Sequence, residues 1–332
     1  MKNLRSVKCL LSALLIISFL FLVVFKISAS EKTGRPVRVV SLCFSAGYNF
    51  PEILTIVDQE GAQGTDMIVL PETWRGDQLV ETLQGESITE LSRLAKKHNT
   101  YIISPIELRE GKSRFNTAVL IDRSGKIAGR YDKVYPYWSE FDLKPPVDPG
   151  IKGVPVFETD FGKIGMAICF DANFPEVWQA LKDKGAEVVF WPSAYSAGSQ
   201  LQAYALLHHY YIVTSTYSKD CQVYDITGER ILDEKSDKPV TVARITLDLD
   251  RTIFHENFNL EKRDSLLKEH AGEVEQEVYM SREGWFVLRA KKPGVSARSL
   301  TKAYNMEILT DYQNRSRREI NKMRGFDFAG SR

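Results

Sequence analysis

Residues 161–176, FGKIGMAICFDANFPE, contain the position around which the fold is organised. The apolar run at 164–168 is typical of a buried strand, and Cys169 stands where that run ends. Asp, Asn and Pro follow, which predicts a turn into a helix beginning near Glu176. Cys169 is therefore predicted at a strand-to-helix elbow, where backbone N–H groups point at the atom that the sulfur would attack. It is a candidate nucleophile; the alternative is a small buried hydrophobic residue, as most free cysteines are.

The chain has 332 residues and 43% hydrophobic composition, enough to bury a large core in one large domain or two smaller ones. Its net charge is +1, and the first thirty residues hold four basic and no acidic side chains, so the remainder is weakly acidic. Nothing in this balance favours nucleic acid as a partner.

Residues 1–30 are typical of an export signal. Three basic residues precede an uncharged apolar run at 9–25, and small residues lead to Ser30. The run is long for a signal-peptide core and short for a membrane span, so cleavage near Ser30 and retention as an anchor through residues 9–25 are both open. The expected location is periplasmic or extracellular, or anchored to a membrane.

Beyond residue 30 the chain keeps three cysteines, Cys43, Cys169 and Cys221. In an oxidising compartment one thiol must stay free, and at most one bridge, from Cys43 to Cys221, is compatible with a free Cys169. The sequence leaves the formation of that bridge open.

Strand and helix patterns alternate from residue 37 to 247, which predicts an α/β fold with both faces of the sheet covered. A helix is expected over 87–98, with Ser87 as its N-cap and Glu90 completing a capping box. The long irregular stretch 133–152 is expected to be functional.

Segment 289–332 carries eleven basic and four acidic residues. We interpret it as a solvated or subunit-contacting extension; contact with an anionic membrane surface is the alternative.

Three residues of complementary chemistry follow predicted strands. Glu72, Lys133 and Cys169 offer a base, a cation and a nucleophile, which a thiol attack on a carbon–nitrogen centre requires. Side chains at the carboxyl ends of strands converge in α/β proteins. Taken singly, Glu72 is equally compatible with an exposed loop and Lys133 with an ordinary surface position.

Four motifs, in this order and spacing, resemble the carbon-nitrogen hydrolase family, also called the nitrilase superfamily. They are L-P-E at 70–72, Y-x-K at 131–133, G-x-x-I-C-F-D-x-x-F-P-E at 165–176 and W-P-S-A at 191–194. The resemblance extends over about 37–247. It implies a four-layer α-β-β-α sandwich that forms dimers or larger homo-oligomers, with a hydrolase domain at 36–288.

The resemblance also implies a Glu-Lys-Cys triad: Glu72 as general base, Lys133 as oxyanion stabiliser and Cys169 as nucleophile. Glu140 matches a fourth polar residue of the family, although Tyr135 stands where many members have histidine. The backbone N–H of Phe170 is expected to support the oxyanion.

The expected reaction is hydrolysis of a small non-peptide amide through a thioester, which needs no metal or organic cofactor. Nitrile hydrolysis and N-acyl transfer by the same triad remain open, as does a non-catalytic binding module on this fold. His208 and His209 are adjacent, so on a helix they point about 100° apart and do not chelate one metal. Candidate pocket residues are Trp138, Trp191, Ser193 and Tyr195, with ordinary core packing as the alternative.

Overall fold

The structure, a computed structural model, describes residues 32–325, so the predicted signal at residues 1–30 lies outside the described residues. The strands are β1 Pro36–Cys43, β2 Met67–Val69, β3 Val80–Glu81, β4 Tyr101–Glu110, β5 Ser113–Ile121, β6 Ile127–Asp132, β7 Val156–Glu158, β8 Lys163–Met166, β9 Val188–Ser193, β10 Tyr211–Thr216, β11 Asp220–Tyr224, β12 Arg230–Lys235, β13 Thr241–Asp248, β14 Thr252–His255, β15 Val274–Met280 and β16 Trp285–Ala290. The α-helices are α1 Phe50–Ala62, α2 Glu86–His98, α3 Pro175–Asp183, α4 Ser199–His208, α5 Leu260–Glu269, α6 Ala297–Ala303 and α7 Leu309–Met323. No helix between residues 32 and 325 is long and apolar enough to cross a membrane.

Two large mixed sheets form the centre of the protein. The first has the order β13-β1-β2-β4-β5-β6, with β3 added beside β4, and the second has the order β12-β11-β10-β9-β8-β7. Helices α1 and α2 cover the first sheet, and α3 and α4 cover the second. The predicted α/β class and the four-layer α-β-β-α sandwich are confirmed.

Strand β2 illustrates why the sheets stack in this way. Met67 and Val69 belong to the core between the sheets, whereas Ile68 and Leu70 belong to the core beneath α1 and α2. Both faces are apolar because successive side chains of a strand point to opposite faces and each face here is covered.

Serine hydroxyls connect the two sheets where β1 and β10 face each other. Ser41 Oγ donates to the Thr214 carbonyl at 2.6 Å, and Ser215 Oγ donates to the Leu42 carbonyl at 2.6 Å. All four residues are buried. These reciprocal bonds fix the position of one sheet on the other.

A third, three-stranded sheet of order β14-β16-β15 follows the sandwich and forms its own small core with α5 and α6. The boundary predicted between residues 288 and 289 lies within β16. Arg251 joins this part to the sandwich, because it pairs with Asp225 at 2.9 Å and with Glu277 at 2.6 Å.

The predicted capping box of α2 is wrong. The helix begins at Glu86 after Gly85, so Ser87 lies inside its first turn rather than at the cap. The carboxylate of Glu81 accepts the Ser87 N–H at 3.0 Å and satisfies that helix end from outside the helix.

Candidate active site

Cys169 lies at the predicted elbow. Strand β8 ends at Met166, a 3-10 helix runs over Cys169–Asn173, and α3 begins at Pro175, one residue before the predicted start. Cys169 has a φ of +44°, a left-handed conformation that is uncommon for a non-glycine residue. The indole N–H of Trp191 donates to the Cys169 carbonyl at 3.1 Å and holds the backbone there.

Glu72 and Lys133 follow β2 and β6, which run in the same direction within the first sheet. Their side chains therefore emerge at the same edge. Both are buried, with exposed fractions of 4% and 1%, and Lys133 Nζ lies 2.8 Å from Glu72 Oε1. Lys133 Nζ also lies 2.7 Å from Glu140 Oε2, so the structure brings the second predicted carboxylate to the same cation.

Asn116, on β5, is a site residue that the sequence analysis missed. Its Nδ2 donates to Glu72 Oε1 at 2.7 Å and to Glu140 Oε1 at 2.8 Å. Its carbonyl accepts the Lys133 N–H at 2.9 Å. The signal in the sequence was a polar residue, Asn116, near the start of a mostly apolar strand. That pattern does not specify which side chains Asn116 contacts.

Residues Ser193 and Ala194 connect Glu72 to Cys169. The Ala194 N–H donates to Glu72 Oε2 at 2.8 Å. Burial raises the pKa of the Cys169 thiol well above its ordinary value and the charge of Glu72 adds to this rise, whereas Lys133 and hydrogen bonds from Ser193 and Ala194 act against it. Cys169 has only 7% of its surface exposed, and this burial favours the neutral thiol over the thiolate.

Lys133 is the single cation among these acidic groups. Burial alone would lower the pKa of Lys133, but the charges of Glu72 and Glu140 outweigh burial and raise that pKa well above the ordinary value. Moving the Cys169 proton to Glu72 leaves the net charge of this cluster unchanged, whereas releasing the proton to solvent would make the cluster one unit more negative.

The candidate pocket residues differ in how far they are exposed to solvent. Trp138 is 63% exposed, on a 3-10 helix that also carries Glu140. Trp191 and Ser193 are fully buried on β9. Tyr195 is partly buried beside Trp191, with ring centroids 5.4 Å apart, and burial raises its pKa to about 12.

Phe170 and Phe174, at the elbow, contact the loop that carries Lys133 and Tyr135. Phe170, the residue after the predicted nucleophile, packs edge-on against Tyr137 at 5.2 Å between ring centroids. Tyr135, which stands where many family members have histidine, stacks on Phe174 at 3.6 Å and donates its hydroxyl to Glu176 at 2.6 Å. Aromatic contacts therefore hold this loop against the elbow.

Cys43 and Cys221 are free thiols buried together between the sheets. The Cys43 sulfur accepts the Thr216 N–H at 3.4 Å, and the Cys221 thiol donates to the Thr214 carbonyl at 3.2 Å. Across residues 32–325, no group of three or more His, Cys, Asp or Glu residues is arranged to hold a metal ion.

Residues 37–253 match the family model for carbon-nitrogen hydrolases, about two thirds of the chain. The chain belongs to the carbon-nitrogen hydrolase family. It is 37% identical over 160 residues to a beta-ureidopropionase from Arabidopsis thaliana, and this match covers 44% of the chain and 39% of the relative. It is 31% identical over 156 residues to a nitrilase from Pyrococcus abyssi, with 44% and 58% covered. The matches therefore span less than two thirds of these relatives.

Among solved structures, the fold is similar to that of an amidase from Nesterenkonia. The TM-score is 0.57 at 19% identity, and the match covers 66% of this chain and 93% of the amidase. That amidase structure shows covalent addition of the acetamide moiety of fluoroacetamide at the active site cysteine.

Proposed function

We propose that this protein hydrolyses a carbon–nitrogen bond of a small, non-peptide amide through a covalent intermediate on Cys169. Membership of the family supports the reaction class. The observation that carries the proposal is the position of Glu72. One of its oxygens accepts from Lys133 at 2.8 Å, and the other accepts from Ala194, which lies beside the Cys169 thiol.

Acylation begins with proton transfer from the Cys169 thiol to Glu72, which creates the thiolate beside Lys133. The thiolate attacks the amide carbon, and the carbonyl oxygen becomes an oxyanion stabilised by the Lys133 ammonium and the Phe170 N–H. Glu72 then returns the proton to the nitrogen as the carbon–nitrogen bond breaks. Ammonia or an amine leaves, and a thioester on Cys169 remains.

Deacylation uses the same groups. Glu72 takes a proton from a water molecule, the resulting hydroxide attacks the thioester carbon, and the oxyanion is stabilised as before. The carbon–sulfur bond then breaks, and the thiolate takes the proton back from Glu72. The carboxylic acid leaves, and the starting protonation state is restored.

The test is release of ammonia by the purified protein from aliphatic amides, N-carbamoyl amino acids and nitriles. We expect release by the parent, none by Cys169→Ala and retained release by Cys221→Ala, which removes a buried thiol outside the site. Mass spectrometry of the quenched parent should detect an acyl group on the peptide containing Cys169. Turnover by Cys169→Ala at the parent rate would contradict the proposal.

Nitrile hydrolysis and acyl transfer use the same triad, so the panel separates them by product. A nitrile that releases ammonia without an accumulating amide identifies the first, and transfer of the acyl group to added hydroxylamine identifies the second. A folded protein that binds amides without turnover would identify a binding module.

We also propose that residues 1–30 direct export or hold the protein at a membrane through residues 9–25. The supporting observation is the basic, apolar and small-residue order of that segment. Fractionation of cells that express the full chain, with the intact mass of the product, tests this. A mass that corresponds to a chain starting near residue 30 indicates cleavage. Full-length protein that only detergent extracts indicates an anchor, and full-length protein in the cytosol contradicts both.

A further inference from the structure

Asp171 is a buried carboxylate, two residues after Cys169, that the proposed chemistry does not use. It is fully buried, and it sits within the 3-10 helix that follows the elbow. Its side chain accepts hydrogen bonds from two parts of the chain that are far apart in sequence. One part is the backbone that leads into Cys169, and the other is the segment on both sides of Lys133.

On the elbow side, Asp171 Oδ2 accepts the Ile168 N–H at 2.9 Å. Ile168 directly precedes Cys169, so this bond fixes the approach to the left-handed Cys169 backbone. The Trp178 indole N–H donates to the Asp171 carbonyl at 3.1 Å and holds the residue itself in place.

On the lysine side, Asp171 receives two donors that flank Lys133. The Tyr131 hydroxyl donates to Oδ2 at 2.7 Å, and the Tyr135 N–H donates to Oδ1 at 3.1 Å. The Tyr131 oxygen also accepts the Val134 N–H at 3.3 Å. Residues 131, 134 and 135 are thus all attached, directly or through one hydroxyl, to the same carboxylate.

We propose that Asp171 is a positioning residue that fixes the Lys133 ammonium relative to the Cys169 sulfur, with the Tyr131 hydroxyl as its essential partner on the lysine side. The inference rests on the proposed function, because it assigns a purpose to the distance between those two groups. Lys133 and Cys169 come from different sheets, and contacts within either sheet do not set their separation. Asp171 bonds to both segments at once.

A carboxylate suits this role because every group that contacts the Asp171 side chain, on the elbow side and on the lysine side, donates a hydrogen bond to it. Asparagine has nearly the same shape but only one acceptor oxygen. If its amide nitrogen faces Tyr135, the contact with that N–H is lost; if it faces Ile168, the contact with that N–H is lost. Asp171→Asn therefore removes one N–H contact of the link, either on the lysine side or on the elbow side, while it preserves side-chain volume.

The experiment compares Asp171→Asn and Tyr131→Phe with the parent in two assays. The first is kcat and KM for the best amide, and the second is the rate of Cys169 alkylation by iodoacetamide, followed by mass spectrometry. We expect kcat and the alkylation rate to fall roughly 10- to 100-fold in Asp171→Asn, with KM changed less than about threefold, because small displacements of catalytic groups cost this much. Tyr131→Phe should lower both rates less, and the double variant should be no slower than Asp171→Asn.

Asp225→Asn is the matched control for the loss of a buried carboxylate. Asp225 is equally buried, and it pairs with Arg251 at 2.9 Å and accepts the Thr227 hydroxyl at 2.6 Å. We expect it to lower the melting temperature without slowing alkylation of Cys169. If Asp171→Asn behaves in the same way, with both rates within twofold of the parent, its role is only structural and the proposal is overturned.

Two features keep the test decisive. If Asp171→Asn does not fold, Tyr131→Phe carries the test, since it removes one hydroxyl and keeps the buried ring; unchanged rates in that variant would then overturn the proposal. Alkylation needs no substrate, so a parent that hydrolyses no amide would count against the proposed function, whereas the effect on alkylation would still decide the role of Asp171.

Discussion

Glu72 and Glu140 lie side by side because they share two donors. Lys133 Nζ lies 2.8 Å from the first carboxylate and 2.7 Å from the second, and Asn116 Nδ2 donates to them at 2.7 and 2.8 Å. Two carboxylates that share donors in this way repel each other when both are charged, and the shared cation and amide offset that repulsion. Glu72, the proposed base, is therefore oriented by both donors.

Asn116→Asp should abolish most activity. The substitution keeps the shape of the side chain, replaces the donor with an acceptor and adds a third carboxylate beside Glu72 and Glu140. We expect kcat/KM to fall at least about 100-fold, because the orientation of the base is lost and the cation is shared among three anions. Steady-state kinetics measures the effect, and circular dichroism checks the fold. A kcat/KM within twofold of the parent would show that Asn116 does not orient the base.

Glu72→Gln and Glu140→Gln should separate the two carboxylates by role. The first removes the proposed acceptor of the Cys169 proton, so we expect kcat to fall about 100- to 10,000-fold while substrate still binds. The second leaves the base in place and weakens one contact of Lys133, so a fall of roughly tenfold is expected. Binding by calorimetry and kcat by ammonia release test both. Equal losses in the two variants would reject this division.

Iodoacetamide should label Cys169 before Cys43 and Cys221 in the folded protein. The exposed fraction is 7% for Cys169, against 0% and 1% for the other two. Because the pKa of Cys169 is raised, its labelling without substrate should accelerate as the pH rises from 7 to 9. Peptide mass spectrometry after timed quenching measures each site. Equal labelling of all three thiols, or a rate independent of pH, would contradict the buried neutral thiol.

Glu107 should make stability depend on pH. Burial raises the pKa of Glu107 to about 7 from an ordinary 4.5, despite its ion pair with Arg114 at 2.9 Å. Between these values the folded state holds a proton that the unfolded state releases, so this group's contribution to the free energy of unfolding rises as the pH falls from 7 to 4.5. The upper limit is about 3 kcal/mol.

Glu107→Gln removes that contribution and keeps the other titrating groups. The difference in free energy of unfolding between parent and variant should therefore grow in favour of the parent as the pH falls through this window. Urea unfolding at pH 7, 6 and 5 measures the difference. Parallel pH dependences would mean that Glu107 does not titrate between pH 4.5 and 7.

Much of the fold was predictable because its determinants are local. The apolar strands that precede Glu72, Lys133 and Cys169 are continuous in sequence, and the strands before Glu72 and Lys133 run in the same direction, which brings their ends to one edge of the first sheet. The hydrogen bonds of Asn116 and Asp171 were not predictable. Their partners lie 44 and 40 positions away, and only the order of the strands brings them together. The α2 cap was wrong because Glu81, a side chain outside the helix, accepts the Ser87 N–H.

Elements beyond residue 247 were not predicted, because β14 has only four residues and β15 has one buried residue, which weakens the apolar period. The catalytic roles, dimer formation and membrane attachment stay predictions. Each depends on a reaction, a second copy of the chain or a lipid surface that this single folded chain does not contain.

Burial of Cys169, which favours its neutral thiol, also bears on how well the protein resists oxidation. Peroxides attack thiolates far faster than thiols, and over-oxidation to sulfinic or sulfonic acid is permanent. In the proposed mechanism the sulfur gives up its proton to Glu72 when a substrate is in place, so it would spend little time in the vulnerable form. We expect the idle protein to tolerate oxidants that would inactivate an enzyme with a permanently ionised cysteine.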